Sequence, residues 1–429
     1  MGVLLVVIAA LIGCAAAYRF GGFTVGPVWA RWLAIVGAGI GLGIGFTGVV
    51  FFVARTFVPF AYAAPIVEAL VAAWLAWEVY RMPRGASPAA SSKLNWTLAL
   101  GALAVMGLST AAFSDAWEYN PQGSWDAFSI WNLRARIIAA PEGLAERAWS
   151  PVLSHTHPGY PMLLSSFIGR GWAYAGAFDS AVPILTSFLF FLGMICIGVG
   201  ALAMARSASL AWAFGLVLAA SPSLLHEVPA QYADIPLAYF FVAAVAMMLV
   251  ERPVLAGIFA GLATFTKNEG VAFLVVVAVA VLLTARKQIL PLLAGAAPAA
   301  LVTAIFKLVL AAGVEPSHMG SANTGQIGTI LSAYSSEFLN LGAGWYHPLL
   351  PVAALAVLWG IDKRFQRPAF TALGIAVAML AIYFGVILFT RDDVTWQLGT
   401  ALTRLYVQVW PTALFGCIFL LRSPDEKSA

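Results

Sequence analysis

The 429-residue chain is predicted to be all-α: a polytopic integral membrane protein of about thirteen transmembrane helices, with interfacial helices in its first large outer loop. Three observations predict this. Hydrophobic residues make up 62% of the chain and charged residues 10%, and the mean hydropathy is +0.90, whereas soluble domains carry roughly a quarter charged residues. The apolar residues come in runs close to the ~17–25 needed for a helix to cross ~30 Å of hydrocarbon, not in the short alternating segments of a barrel. The links between many of these runs are short and basic, as cytoplasmic loops are.

Taken in order, the runs fall near 3–18, 32–54, 60–80, 95–113, 181–204, 209–225, 234–250, 254–266, 270–285, 288–311, 345–361, 369–389 and 405–421. The first, "GVLLVVIAALIGCAAAY", lacks a positively charged start, so it reads as a membrane helix and not a cleaved signal; its "LIGC" faintly resembles a lipoprotein cleavage site. Basic links contain Arg81, Arg84 and Lys93, then Arg206, Arg252, Arg286 with Lys287, Lys363 with Arg364 and Arg367, and Arg422. Assigning these to the cytoplasm places the N-terminus outside and the C-terminus inside. Most Lys and Arg then lie inside, while most acids lie outside and all five histidines lie outside or at the outer edge. The expected setting is the inner (plasma) membrane, with the polar chemistry facing the periplasm or exterior.

Five segments follow from this order: N-terminal helices in 1–113, an outer loop in 114–180, a helical core in 181–311, a second outer loop in 312–344 and C-terminal helices in 345–429. A shorter outer stretch spans 390–404. No inverted repeat of the transporter kind is visible. The net charge of +4 is scattered along membrane edges and carries no nucleic-acid signal. Cys14, Cys196 and Cys417 each lie in an apolar run and read as small core residues.

The outer loop 114–180 is rich in Trp, Tyr and Arg. "AFSIWNLRARIIAA" has helical spacing with an apolar side of Phe128, Trp131, Ala135 and Ile138. Such a helix lies in the interface plane and turns Arg134 and Arg136 toward headgroups or a phosphate. "GYPMLLSSFIGRGWAYAG" reads as a second interfacial or re-entrant helix. An aromatic belt that only anchors the bundle would give a similar composition.

Asp115 and Asp126 flank the start of this loop. A carboxylate there can act as general base; equally, Ser124 or Asp126 can cap the helix that follows. "SHTHPGYP" gathers His155, His157 and Tyr160, suited to hydrogen bonding with a sugar or phosphate, or to a plain interfacial loop; a metal would need further ligands to converge, and the sequence has no HExxH or comparable partner. "HEVPAQYADIPLAYFF" brings Gln231, Tyr232 and Asp234 to a helix start. "TFTKNEGVAF" interrupts two half-length apolar runs with Lys267, Asn268 and Glu269. Ionisable residues at such breaks mark functional cavities, or pair with one another structurally, as Lys267 could with Glu269 or Asp234. Lys307 and Arg404 stand near outer helix ends, to snorkel or to meet an anion.

In this order the motifs "WDAFSIWNLRARI", "HTHPGYPMLLSSF", "GAFDSAVPIL", "YADIPLAYFF" and "GLATFTKNEG" resemble the GT-C superfamily of integral-membrane glycosyltransferases. That broad group includes protein O-mannosyltransferases and the lipid A aminoarabinose transferase. The resemblance covers about 115 to 285. It implies a GT-C-like fold and sugar transfer from a polyprenyl-phosphate donor to a glycan, lipid or protein acceptor at the outer face. Asp126 matches the family's catalytic acid, with Asp115 in reserve; Lys267 matches the lysine of the helix break and Asp234 the acid of the later helix. The implied reaction is a direct, inverting displacement. Asp126 deprotonates or orients the acceptor hydroxyl, while Lys267, Lys307 or Arg404, or else Arg134 and Arg136, hold the phosphate. Neither a cofactor nor a divalent metal is expected. The chain departs from the family in three ways: three further helices precede the acid loop, Asp126 is followed by Ala127 and not by a second acid, and no soluble C-terminal domain is expected. Two other classes share some of these features, a transporter or flippase of a lipid-linked sugar and a structural membrane subunit.

Overall fold

All thirteen apolar runs fold as helix. A computed structural model describes residues 1–82, 96–140, 144–314, 319–341 and 346–425, so Arg84 and Lys93 lie outside the described residues. These residues form α1 Gly2–Phe20, α2 Val28–Phe57, α3 Ala63–Tyr80, α4 Trp96–Tyr119, α5 Asn132–Ala139, α6 Leu163–Ala175, α7 Ala181–Ala205, α8 Ala208–Ala219 and α9 Pro222–Ala230. Then come α10 Asp234–Leu249, α11 Pro253–Thr266, α12 Glu269–Thr284, α13 Ile289–Ile305, α14 Ile327–Asn340, α15 Leu349–Trp359, α16 Gln366–Leu388 and α17 Val394–Leu420. The only extended pairing among the described residues is two isolated bridges, Met319 with Thr390 and Ile361 with Leu421.

Seven of the described helices are long and apolar enough to cross a membrane, or eight if α8 and α9, bent by 60° at their junction, count as one span. The thirteen expected spans are therefore thirteen helices of unequal kind. α10, α11, α12 and α15 are apolar but have only 10–17 residues. At about 1.5 Å per residue such helices fall short of a ~30 Å hydrocarbon core. Trp74, Trp77, Leu103, Leu108, Val357 and Leu358 are exposed on the peripheral helices α3, α4 and α15. An apolar outer surface of this kind is that of a membrane-embedded protein.

The bundle is built around α2 and α10. α2 carries "GAGIGLGIG", and its small residues let neighbours come close: a Cβ on Gly43 would lie 1.9 Å from the carbonyl oxygen of Ala9 in α1. Residues 234–248 of α10 are all buried, as befits a helix apolar all round. Its Tyr239 hydroxyl donates to the Gly37 carbonyl (2.7 Å) and accepts from the Gly41 N–H (3.2 Å), entering the hydrogen-bond ladder of α2.

Four differences from the sequence expectation have physical causes. α4 runs on to Tyr119, so Asp115 is on its last turns and not in a loop. The run 209–225 ends early because Pro222, at the first turn of α9, cannot continue α8. The loop 312–344 contains the amphipathic helix α14, whose Tyr334 packs on Phe384 of α16 and Tyr406 of α17. α6 does not lie on the surface, since Leu163 through Trp172 are all buried. Its Arg170 pairs with Glu68 of α3 (Nε to Oε1, 2.8 Å), and the Tyr174 hydroxyl reaches the same carboxylate at 3.1 Å. The three cysteines are free.

Candidate functional site

The α9–α10 and α11–α12 breaks meet at one end of the bundle, against the middle of α17 and the turn that follows Ser124. Asp234 and Glu269 open α10 and α12, where the positive end of a helix dipole favours a carboxylate, while Lys267 closes α11, where the negative end favours a cation. α12 packs close because residue 270 is glycine: a Cβ there would lie 1.9 Å from the Ala263 carbonyl oxygen.

These elements assemble a chain of charges. Lys267 Nζ lies 2.9 Å from Asp234 Oδ1 and 3.0 Å from Glu269 Oε1. Asp234 Oδ1 also accepts from Gln408 Nε2 (2.5 Å), whose own Oε1 accepts from the Tyr383 hydroxyl (2.5 Å). Asp234 Oδ2 is buried with no hydrogen-bond partner, 3.9 Å from Arg404 NH1. The same Arg404 nitrogen is ion-paired with Asp126 Oδ2, and its guanidinium lies over the Tyr232 ring at 5.1 Å. Burial and the neighbouring Asp126 carboxylate push the Tyr232 hydroxyl above the usual phenol value, so it stays a protonated donor. Asp234 is 1% exposed, whereas Asp126 is 22% exposed, so of the two acids that share Arg404 it is Asp126 that a solvent-borne group could reach.

Asp126 is not used as a cap: neither it nor Ser124 makes a side-chain capping bond at the helix that follows. That helix begins with a π-turn, Ala127–Trp131, and a second π-turn, Phe306–Leu310, carries Lys307. Single π-turns recur at functional sites because they re-aim side chains. Lys307 Nζ donates to Asn268 Oδ1 (2.9 Å) and to the Gly159 carbonyl (2.8 Å), which ties the His/Pro turn to the α11–α12 break. In that turn His157 takes a left-handed conformation and stacks on Tyr160, which stacks on Trp131. Gln231, also left-handed, is buried beneath: its Oε1 accepts from Asn132 at 3.5 Å and its Nε2 donates to the Pro121 carbonyl at 3.4 Å. Gly123 has φ +72°, and a Cβ on it would meet Ala127, Ala230 and Gln231 within 3.0 Å.

Of the expected residues, Asp126, Tyr232, Asp234, Lys267, Glu269 and Arg404 converge; Asn268, Lys307, Tyr160, His157 and Gln231 surround them. Four stand outside the cluster. Arg134 is fully buried and donates to the carbonyls of Ala148 (3.0 Å), His157 (3.4 Å), Pro158 (3.2 Å) and Tyr160 (2.8 Å), so it fixes the turn from inside and cannot face a headgroup or phosphate. Asp115 and His155 are exposed, and neither meets the cluster. Arg136 is exposed too, but it packs over Trp172 and Phe178 beside a cleft. The expectation omitted Gln408 and Tyr383. A lone amide one turn after Arg404 in an apolar helix was the available signal for the first. Glu227, buried beside the cluster with Oε2 unpartnered, was also omitted.

Two clefts open nearby. One, of about 430 Å3, is mostly apolar and lies between the end of α2 and the start of α3, with Trp149 and Leu310 in its wall and Arg55 and Glu146 at its polar end. The other, of about 440 Å3, is lined by amides and Arg136. Neither has Asp234 or Lys267 in its wall. Among the described residues no group of three or more His, Cys, Asp or Glu side chains is gathered to hold a metal ion. No family model, curated protein or solved structure matches the chain.

Proposed function

We propose that the protein is an integral-membrane glycosyltransferase of GT-C type, with all thirteen apolar helices embedded, acting at the outer (periplasmic) face of the plasma membrane. It moves a sugar from a polyprenyl-phosphate donor to a glycan, lipid or protein acceptor, with inversion and without a cofactor or divalent metal. One observation supports the reading: the half-buried carboxylate of Asp126 shares the Arg404 guanidinium with the buried Asp234, an arrangement suited to a base beside a cation for phosphate.

In the reaction the acceptor hydroxyl gives its proton to Asp126, and its oxygen attacks the anomeric carbon. The bond from that carbon to the phosphate oxygen breaks, and the monophosphate leaves with the bonding electrons. Arg404 takes up the developing charge, with Lys267 and Lys307 behind it; at a water-poor site such neutralisation is worth several kcal/mol. Asp234 and Glu269 hold the cations in place. The apolar cleft by Trp149 suits the hydrocarbon part of the donor.

The test is transfer from radiolabelled polyprenyl-phosphate hexoses and pentoses in proteoliposomes supplied with total membrane extract as acceptor source. Asp126→Asn should lower the rate by about 10²–10⁴, the usual contribution of a positioned base, while the variant still elutes as folded protein. Equal rates for wild type and variant refute Asp126 as base. A second reading, a carrier of the same lipid-linked sugar, is favoured by the Glu269–Lys267–Asp234 chain of ion pairs at helix breaks. Label that crosses the bilayer in both proteins without forming product would establish it instead.

A further inference from the structure

We infer that the amide-lined cleft beside the Asp126 turn is a subsite for an uncharged carbohydrate chain; that this chain is the acceptor rests on the reading above. The cleft, about 440 Å3, is lined by Asn120, Gln122, Gly123, Phe128, Asn132 and Arg136. Its volume falls in the ~300–1,000 Å3 range of small-ligand pockets. Three side-chain amides supply both donors and acceptors, which matches sugar hydroxyls that likewise donate and accept. No carboxylate lines it, so a cationic sugar gains nothing there.

The chemistry of Asn132 points to a ligand. The residue is 2% exposed, and its Oδ1 has no hydrogen-bond partner. Its Nδ2 reaches the Gln122 carbonyl and Gln231 Oε1 only at 3.4 and 3.5 Å, the long limit of a hydrogen bond. A buried amide left this way is costly, and a ligand hydroxyl relieves it. At the mouth, Phe128 is 45% exposed and packs edge-on against exposed Trp125, 5.4 Å between centroids. Exposed aromatic faces of this kind suit the apolar C–H faces of sugar rings.

Arg136 is the one charge in the lining. Its guanidinium lies 5.9 Å from the Trp172 ring and 5.5 Å from that of Phe178, and it donates to Gln122 Oε1 at 3.4 Å, again the long limit. It packs on the two rings and faces an amide, and an anion at its remaining donors is the rival occupant that the anionic probe tests. The cleft also connects to the charge cluster. Asn132 contacts Gln231, whose neighbour Tyr232 lies under the Arg404 that holds Asp126. Asp126 itself stands in sequence between Gly123 and Phe128, which line the cleft.

The experiment uses the full chain in lipid nanodiscs, with maltotriose, mannotriose and cellotriose as neutral probes and trigalacturonate as the anionic one. Binding is read by saturation-transfer NMR with no donor present. At least one neutral trisaccharide should bind in the ~1–10 mM range or tighter, and Gln122→Leu and Phe128→Ala, both at exposed positions, should each weaken it by about tenfold. Three neutral probes that fail to bind, or binding that ignores both substitutions, overturn the inference. So does preferential binding of trigalacturonate that is lost in Arg136→Gln. The two readings fail separately: neutral binding without sugar transfer leaves the subsite standing and removes its acceptor role, whereas transfer without neutral binding removes the subsite alone.

Discussion

Replacing Lys267 by Met should cost the fold about 3 kcal/mol, and most of that loss should be coupled to Asp234. The ammonium lies 2.9 Å from Asp234 Oδ1 and 3.0 Å from Glu269 Oε1. At an effective dielectric of ~20, the Asp234 contact alone is worth about 6 kcal/mol. The Glu269 side chain is 22% exposed, so its share is discounted to about 1 kcal/mol or less. Against these stand several kcal/mol of ammonium desolvation that the variant no longer suffers. The remainder sits at the bottom of the ~3–5 kcal/mol seen when one partner of a buried pair is removed, because Gln408 Nε2 at 2.5 Å and Arg404 at 3.9 Å still face the stranded carboxylate. Asp234→Asn alone should cost about 2 kcal/mol, since Glu269 still holds Lys267. The double variant should cost no more than Lys267→Met, because the amide oxygen keeps the Gln408 bond and no buried charge is left. The coupling is then about 2 kcal/mol. The assay is reversible unfolding in detergent–SDS mixed micelles followed by tryptophan emission, from a chain with 15 Trp. Losses that add to within ~0.5 kcal/mol would refute the claim that these two charges exist for each other.

Two other substitutions follow from the same geometry. Arg134→Met should destabilise by at least about 3 kcal/mol, since it leaves several buried carbonyls without donors at ~1–3 kcal/mol each. Arg134→Lys should not rescue it, because an ammonium lacks the planar fork of donors; normal unfolding with reduced sugar transfer would instead return Arg134 to the substrate site. At the loop before α16, hydrogen bonds from Arg364 hold the Asp362 carboxyl down at about 2, against 3.8, with the Arg206 charge adding to the effect. A folded value below the unfolded one gives stability that is present above pH ~4 and is lost as pH falls through 3.8 toward 2. Unfolding midpoints between pH 6 and pH 2 should therefore drop for wild type, and Asp362→Asn should flatten that part of the curve. An identical drop in both proteins would refute the assignment.

Most of the fold was legible because a helix in lipid must be written as a long apolar run, and nothing else in this chain resembles one. What escaped was written in weaker signals. The break at Ser221–Pro222 rests on a single proline inside an otherwise continuous run. α14 repeats apolar residues at Ile327, Ile330, Leu331, Tyr334 and Phe338, a helical stripe diluted by Ser, Thr and Gly. In the site, Asp234, Lys267 and Glu269 stood out because a charge in an apolar context is expensive unless used or paired. By residue type Arg134 reads as an interfacial cation, but its position decides against that. Counting from Trp131, positions 134, 135 and 138 fall on one helical face, and that whole face is buried. Arg136 falls off that stripe and is exposed. The pairing of Lys267 with Glu269 and Asp234 was legible from the charges at the breaks, but that of Arg404 with Asp126 was not, since the two are 278 residues apart.

Arg404 is where the two halves of the proposed chemistry meet. Its Nε is spent on the Thr400 carbonyl of its own helix at 3.1 Å, and its NH1 on Asp126, with Asp234 Oδ2 unpartnered at 3.9 Å. Lys267 is likewise engaged by two carboxylates, and of the Arg404 nitrogens only NH2 has no hydrogen-bond or ion-pair partner among the described residues, so a phosphate gripped by both terminal nitrogens must share NH1 with Asp126. On the proposed reading, a phosphate that binds here competes with Asp126 for the guanidinium, and a guanidinium favours the bidentate oxyanion over a single carboxylate oxygen. The displaced Asp126 then has both oxygens free for the acceptor hydroxyl. Asp234, fixed by Lys267 and Gln408, keeps the arginine at the site throughout the exchange. On that reading donor binding and release of the base are one event: the Arg404–Asp126 salt bridge holds the base in the empty site, and a bound phosphate frees it.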